Sequence, residues 1–229
     1  MRKYLKQFLM DKRVVDIFRP LWWLILNGPI LTFRPSKSGK AYQKIWDKDN
    51  HGSPLRKFTI NQTSKLKKIF ESYKNISIEY AMRYGTPEIE KTLNKMTKKG
   101  CSKILLVPLY PQYAASTSAT VKDEVFKWML KQRWQPDLRT IAPWFDNHNY
   151  IKALAETIKK NIINKNKLDK LIVSFHGIPK RYFMAGDPYH CHCIKSARLL
   201  KEELKWPDDK ILVTFQSRFG PEPWLQPYT

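Results

Sequence analysis

The sequence predicts an α/β protein in which parallel strands are flanked by helices. Segments rich in Val, Ile and Leu alternate with segments of helical spacing. The apolar runs ILLV and LIV are hydrophobic on both faces, as in strands covered by helices on each side. Strand–helix alternation of this kind gives right-handed crossovers and a Rossmann-like sheet. The expected strands are residues 77–84, 103–109, 138–142, 170–175 and 210–215.

Amphipathic helices are expected between these strands. The clearest covers residues 87–99, because Thr86 is a good N-cap, Pro87 fits the first helical position and Gly100 follows the last turn. The other expected helices are residues 63–73, 118–131, 149–164 and 194–204. In the first of these, the residues expected to face inward are Leu66, Ile69, Phe70 and Tyr73. A polar break after residue 143 predicts two domains, residues 1–143 and residues 144–229.

Composition excludes several classes of protein. The 229 residues are 42% hydrophobic and 13% aromatic, which rules out disordered, collagen-like and coiled-coil chains. Lys and Arg total 42 against 20 Asp and Glu, for a net charge of +22. The lysines are scattered and no recognition-helix or zinc-finger pattern accompanies them. We therefore expect a solvated basic surface and no specific nucleic-acid partner.

Cysteine content and hydropathy indicate the compartment. The three cysteines, Cys101, Cys191 and Cys193, do not form a disulfide framework, which predicts a reducing, cytoplasmic location. The longest apolar run, from Leu21 to Phe33, is broken by a central Asn-Gly-Pro and is shorter than the about 20 residues of a spanning helix. Its apolar segment extends from Leu21 to Leu31. We expect this segment to contact a membrane peripherally without crossing it.

The sequence lacks the common motifs of dinucleotide-binding proteins, P-loop nucleotide-binding proteins, zinc metallopeptidases and serine hydrolases. The most informative stretch is LIVSFHGIP (residues 171–179), in which a buried strand ends in His176, followed by Gly177. Ligands of open α/β sheets bind beyond the carboxyl ends of the strands, so His176 is expected to lie where a ligand would bind. Its imidazole could accept a proton or ligate a metal.

The run HCHC (residues 190–193) also contains metal-binding residue types. Four consecutive residues do not readily close a tetrahedral site, and the usual CxxC spacing is missing. We therefore interpret this run as a polar, thiol-containing stretch at the start of a helix.

Two further loops follow expected strands, RYGT (residues 83–86) and YPQYAAST (residues 110–117). They bring aromatic rings, hydroxyls and a guanidinium to the end of the sheet where His176 lies. Together these groups are suited to bind a flat, apolar ligand that has anionic groups at its edge.

Four motifs in order then resemble ferrochelatase: PLYPQYAASTSAT (residues 108–120), SFHGIP (174–179), GDPYxxxC (186–193) and FQSRFGPEPWLQPYT (215–229). The N-terminal YLKQFLMDKRVVDI and RPLWWLILNGPIL stretches are also similar to the bacterial form. The likeness therefore covers essentially the whole chain.

The resemblance implies two Rossmann-like, chelatase-like domains and the insertion of ferrous iron into protoporphyrin IX to give protoheme. It implies that His176 accepts pyrrole protons or helps to deliver the iron, and that the apolar segment is the lip where the cleft meets the membrane. The further positions that it implies in porphyrin binding are Arg34, Tyr42, Ser53, Arg83, Tyr84, Tyr110 and Trp224.

The sequence also departs from the family pattern. Family members open with a strand of the type LLVNLGTP and extend beyond PYT into a segment with a carboxylate that partners the histidine, and neither is present here. We therefore expect a fold that is incomplete relative to the family. Two alternatives stay open: a chelatase acting on coproporphyrin III, and an inactive tetrapyrrole-binding remnant.

Some members of the family bind a [2Fe–2S] cluster through cysteines, one of them at the position of Ala115 here. The resemblance therefore implies no cluster of that type in this chain, and a structural role for Cys193. Ferrous iron is expected as a substrate, and no cofactor is required.

Overall fold

The computed structural model describes residues 1–46, 52–162 and 169–229 and confirms the α/β class. Two short two-stranded sheets are flanked by helices. The strands are β1 (Lys103–Leu106), β2 (Asp137–Thr140), β3 (Leu171–His176) and β4 (Ile211–Gln216). The helices are α1 (Arg2–Leu9), α2 (Arg19–Ile25), α3 (Leu31–Gln43), α4 (Pro54–Ile69), α5 (Ile89–Lys98), α6 (Thr120–Leu130), α7 (His148–Asn161), α8 (Lys180–Met184) and α9 (Tyr189–Leu204).

The chain divides into two compact units. The first unit contains Met1–Leu106 and Ala119–Arg139, and the second contains Val107–Ser118 and Thr140–Thr229. The predicted domain boundary after residue 143 stays a prediction.

The first unit has two apolar cores. One joins α1 to α2 and α3, and the indole N–H of its Trp22 donates to the Leu9 carbonyl at 2.7 Å. The other lies between α5, α6 and β1, and its buried members are Leu93, Ile104, Val125 and Trp128. Val125 and Trp128 lie three positions apart on α6 and therefore share the face that packs in this core.

The second unit is built on the parallel pair β3–β4, with Leu171 opposite Ile211 and His176 opposite Gln216. Helices α7 and α9 pack together through a core that includes Ala155, Leu200 and Leu204. A second core lies beneath the residues that follow β3, and its buried members are Ile178, Cys193, Phe215 and Leu225. This core fixes the backbone on which His176 stands.

The predicted strand at residues 77–84 is wrong. These residues form only an isolated bridge, between Met82 and Glu88, because no described strand lies beside them to complete a ladder. The same turn delays α5, since the Pro87 carbonyl accepts from the Met82 N–H at 2.8 Å. The helix therefore begins at Ile89 with Glu88 at the N-cap, rather than at Pro87.

Helix α4 is longer than predicted and begins at Pro54, where the Ser53 hydroxyl accepts from the Arg56 N–H. The inward orientation predicted for its apolar residues is wrong, because Leu66 is 45% exposed and Ile69 is 68% exposed. Helical spacing shows which side chains share a face, but it does not supply an element that covers that face.

Burial of both strand faces is also not observed. Leu105 on β1, Ile172 on β3 and Leu212 on β4 are exposed, and burial along β3 alternates. The described helices therefore cover one face of these strands, so the prediction of cover on both sides is wrong for them.

Helix α9 begins at Tyr189, five residues before its predicted start, and takes in the HCHC run. Within residues 1–46, 52–162 and 169–229, none of the helices combines the length and apolar character needed to cross a membrane.

Candidate active site

His176 is the last residue of β3, and its side chain is exposed. Its Nδ1 lies 2.7 Å from the carbonyl oxygen of Gly177. Because a carbonyl oxygen only accepts, this contact assigns the proton of the neutral ring to Nδ1. Nε2 is then the basic nitrogen, which is the state that a proton acceptor requires.

The backbone after His176 is packed against the segment that carries Trp224. The Gly177 N–H donates to the Gln216 carbonyl at 2.7 Å, and Ile178 accepts from the Leu225 N–H at 3.0 Å. A Cβ on Gly177 would lie 3.0 Å from the Gln216 oxygen and 3.2 Å from the Trp224 ring. Glycine is therefore required here by the close approach of the indole and of β4.

This packing brings Trp224 to His176, with the two ring centroids 6.4 Å apart and the planes inclined at 47°. The indole nitrogen of Trp224 is buried and has no hydrogen-bond partner among the described residues. The structure therefore joins two of the predicted site residues in one aromatic and basic patch.

A hydroxyl group cluster lies on the same face of β3 as His176. The Ser174 hydroxyl is 2.9 Å from that of Thr229, which donates to the Thr214 hydroxyl at 2.7 Å. Sequence reasoning missed this cluster, although the two-residue period of a strand places Ser174 and His176 on one face.

Arg83 and Tyr84 form a second group, in the first unit. The Arg83 guanidinium lies 4.4 Å from the centre of the Tyr84 ring. It forms an ion pair with the buried Asp11 carboxylate and lies 3.5 Å from Glu124. The Tyr84 hydroxyl donates to Asp11 at 3.0 Å. Burial and the Asp11 charge raise the pKa of Tyr84 far above its ordinary value, so the phenol stays protonated.

Asp11 and Glu124 were not among the predicted site residues. An aspartate in the polar DKR segment after α1 carries no motif, and its partners lie more than 70 positions away. The one signal that could have pointed to these carboxylates is that a buried arginine needs an acidic partner.

Tyr110 lies in the loop of residues 107–118 and is partly exposed. Among the hydrogen bonds that connect this loop to the rest of the second unit, three go to side chains within residues 187–196. The amide of Gln112 donates to Ser196 at 2.9 Å, the Tyr113 N–H donates to His192 Nδ1 at 3.1 Å, and the Ala115 N–H donates to Asp187 at 2.7 Å. Asp187 of the GDPY motif and two side chains of α9 therefore hold the loop that carries Tyr110.

The remaining predicted positions lie in the first unit. Arg34 and Tyr42 are exposed on α3, and the Ser53 side chain is occupied as the N-cap of α4. The first unit thus contains Arg34, Tyr42, Ser53, Arg83 and Tyr84, and the second contains Tyr110, His176 and Trp224.

Three side chains of the HCHC run, His190, His192 and Cys193, pack against the interior of the second unit. His192 stacks on Phe145 with centroids 3.7 Å apart, and His190 stacks on Phe215 at 5.6 Å. Cys193 is fully buried, and burial raises the pKa of its thiol to about 12. In the part of the chain that the structure describes, no three His, Cys, Asp or Glu side chains are grouped to hold a metal ion.

Acidification is expected to destabilise the second unit through His192. Burial lowers the pKa of His192 below 6.5, against the opposing charges of Asp146 and Asp187, and Lys195 lowers it further. The unfolded chain therefore binds this proton at a higher pH than the folded chain does. The stabilisation that comes from neutral His192 is complete above about pH 6.5 and is lost as the pH falls through the folded-state pKa. Protonation of Nδ1 would also break the bond from the Tyr113 N–H.

The check is the urea midpoint at about pH 7.5 and about pH 5.5. In His192→Asn the amide oxygen can replace Nδ1 as acceptor without titrating, so its midpoint is expected to fall less than that of wild type. The matched control is His148→Asn at an exposed histidine. Equal acid sensitivity of all three proteins would contradict the assignment.

Comparison with known proteins agrees with this picture. The ferrochelatase family model matches residues 1–229. The ferrochelatase of Allorhizobium ampelinum is 54% identical over 230 residues, covering all of this chain and 67% of that protein. The ferrochelatase of Rhizobium meliloti is 52% identical, covering all of this chain and 68% of that protein. The chain thus spans about two thirds of the length of these relatives.

A solved structure, SirB from Bacillus subtilis with Fe3+, is similar in fold, with a TM-score of 0.52 and 17% identity. The match covers 75% of this chain and 65% of that one, and it supports the chelatase-like fold. The family model matches the whole of this chain, and about half of its residues are identical in these relatives, so family membership is shown as well as the fold. The chain belongs to the ferrochelatase family, the lyases of heme biosynthesis that insert a metal ion into a porphyrin.

Proposed function

We propose that this chain inserts ferrous iron into protoporphyrin IX to give protoheme, with His176 as the proton acceptor. The observation that carries the proposal is the fixed tautomer of an exposed imidazole at the carboxyl end of β3. Insertion releases two pyrrole protons for each iron bound, and a neutral imidazole can accept one of them at a time. Iron is a substrate here, and the proposal includes no resident cofactor and no [2Fe–2S] cluster.

The second requirement is aromatic side chains that can contact a flat macrocycle, and each unit contains some. Trp224 stands beside His176, and Tyr110 is exposed on the loop tied to Asp187. In the first unit, the Tyr84 ring is held by Asp11, while Arg34, Tyr42 and Ser53 are the polar positions proposed to contact the porphyrin. Aromatic faces and a small number of polar groups are typical of such ligand sites.

The test is an anaerobic insertion assay on this chain, in which loss of porphyrin fluorescence reports iron incorporation. Protoporphyrin IX is expected to react with a higher kcat/KM than coproporphyrin III. A preference for coproporphyrin III would replace the proposed substrate. Binding of both porphyrins without insertion of iron would instead indicate a tetrapyrrole-binding protein.

We also propose that the apolar segment at residues 21–31 contacts a membrane surface peripherally. Leu26 and Leu31 are buried in the first unit, whereas Leu21, Trp23 and Leu24 are more than half exposed. The exposed side chains are the ones available to an interface. Co-sedimentation with vesicles should weaken in the variant Trp23→Ser/Leu24→Ser, and unchanged sedimentation would reject the contact.

A further inference from the structure

A buried carboxylate lies at the centre of the Arg83–Tyr84 group. Asp11 Oδ2 accepts from both the Arg83 guanidinium and the Tyr84 hydroxyl, and Oδ1 accepts from the Arg13 N–H at 2.9 Å. Only 7% of the Asp11 side chain is exposed. Both oxygens are engaged, so the orientation of the carboxylate is determined by its partners.

Side chains of helix α1 also contact Tyr84 and Gly85. The Tyr84 ring meets Phe8 edge-on at 5.2 Å between centroids, and Tyr4 at 6.3 Å. The Gln7 amide oxygen accepts from the Gly85 N–H at 3.0 Å. Asp11 lies two residues beyond the end of α1, so the helix and the carboxylate form one support for residues 83–85.

The charge of Arg83 is already compensated. Its side chain is 13% exposed, pairs with Asp11 and lies 3.5 Å from Glu124. Its Nε is buried and has no hydrogen-bond partner among the described residues. The same Glu124 oxygen lies only 2.7 Å from Lys127, so Asp11 supplies most of the compensation of Arg83. A guanidinium paired with a buried carboxylate attracts a further carboxylate, such as that of a substrate, less strongly.

We propose that Asp11 is the positioning residue of the Arg83–Tyr84 pair, and that the pair contacts a porphyrin as a fixed, charge-compensated planar face rather than as a carboxylate-binding cation. This inference rests on the proposed function. It assigns the Tyr84 ring and the stacked guanidinium to contact with the macrocycle, and the recognition of propionates to other residues.

The positioning role is tested with Asp11→Glu, which keeps the negative charge but moves the carboxylate by one methylene. We expect kcat for iron insertion to fall about tenfold, with KM and the thermal midpoint close to wild type, since small displacements mainly reduce reactive geometry. Tyr84→Phe, which removes only the hydroxyl contact, should lower kcat in the same direction. The matched control is Asp123→Glu, which lengthens the carboxylate of a more exposed ion pair with Arg13.

If Asp11 only stabilised the fold, Asp11→Glu would either behave as wild type or lower the thermal midpoint without changing kcat. Wild-type kcat in both Asp11→Glu and Tyr84→Phe would therefore overturn the positioning role. If the wild-type chain neither binds nor metallates a porphyrin, the proposed function fails together with the inference. If wild type turns over and the variants match it, the inference fails alone.

The charge compensation is tested with the double variant Asp11→Asn/Arg83→Gln, which removes both charges and leaves the net charge unchanged. The probes are mesoporphyrin and its dimethyl ester, compared by Soret titration. We expect the ratio of the two affinities to stay within about twofold of wild type, because a compensated arginine does not select for carboxylates. A tenfold loss of preference for the free carboxylates would show that Arg83 binds a propionate and would overturn this part.

Discussion

Replacing His176 with alanine is expected to lower the rate of iron insertion by at least about 100-fold, the usual contribution of a positioned proton acceptor. Porphyrin affinity should change little, because the imidazole supplies a small part of the apolar contact surface. The Nδ1 contact with Gly177 leaves Nε2 as the basic nitrogen, and alanine removes it without filling its place.

Stopped-flow insertion and Soret titration should be measured on the same preparations. The control is His148→Ala at an exposed histidine on α7, for which both measurements should match wild type. If His176→Ala lost porphyrin binding but kept wild-type turnover for each bound porphyrin, His176 would be a binding residue and not the proton acceptor.

Phe215→Ala is expected to reduce the free energy of unfolding of the second unit by about 3–5 kcal/mol, the range for large-to-small changes in a core. Phe215 is 1% exposed and packs with Ile178, Cys193 and Leu225. It faces the ring of His190 at 5.6 Å. Alanine would leave a cavity directly beneath the residues that follow His176.

The measurement is a urea unfolding curve read by tryptophan fluorescence. Phe219→Ala is the control, because Phe219 lies in the same unit with 59% of its surface exposed, and less than about 1 kcal/mol is expected there. A loss at Phe215 no larger than at Phe219 would show that the core beneath the site does not determine the stability of this unit.

Local sequence features predicted the elements that carry His176. The apolar run of β3 and the glycine after it define the strand and its end, and both are properties of a few adjacent residues. The same holds for α6 and α7, whose apolar spacing lies within each helix, and for the Asn147 cap that directly precedes α7.

Features that depend on distant partners were not predictable. Residues 77–84 have strand-like composition, but a strand requires a neighbour that local sequence does not supply. The exposed apolar face of α4 shows the same limit for a helix. Asp11 was missed for a related reason, since its roles come from contacts with Arg83 and Tyr84, 72 and 73 positions away.

Iron insertion requires that this 229-residue chain both bind a porphyrin and metallate it. A paired titration tests this most directly: Soret absorbance records porphyrin binding, and anaerobic ferrous iron is then added to the same sample while porphyrin fluorescence is followed. We predict saturable Soret changes, followed by fluorescence loss that depends on iron and is absent in His176→Ala. Saturable binding with no fluorescence loss in wild type would contradict the assignment of iron insertion to this chain.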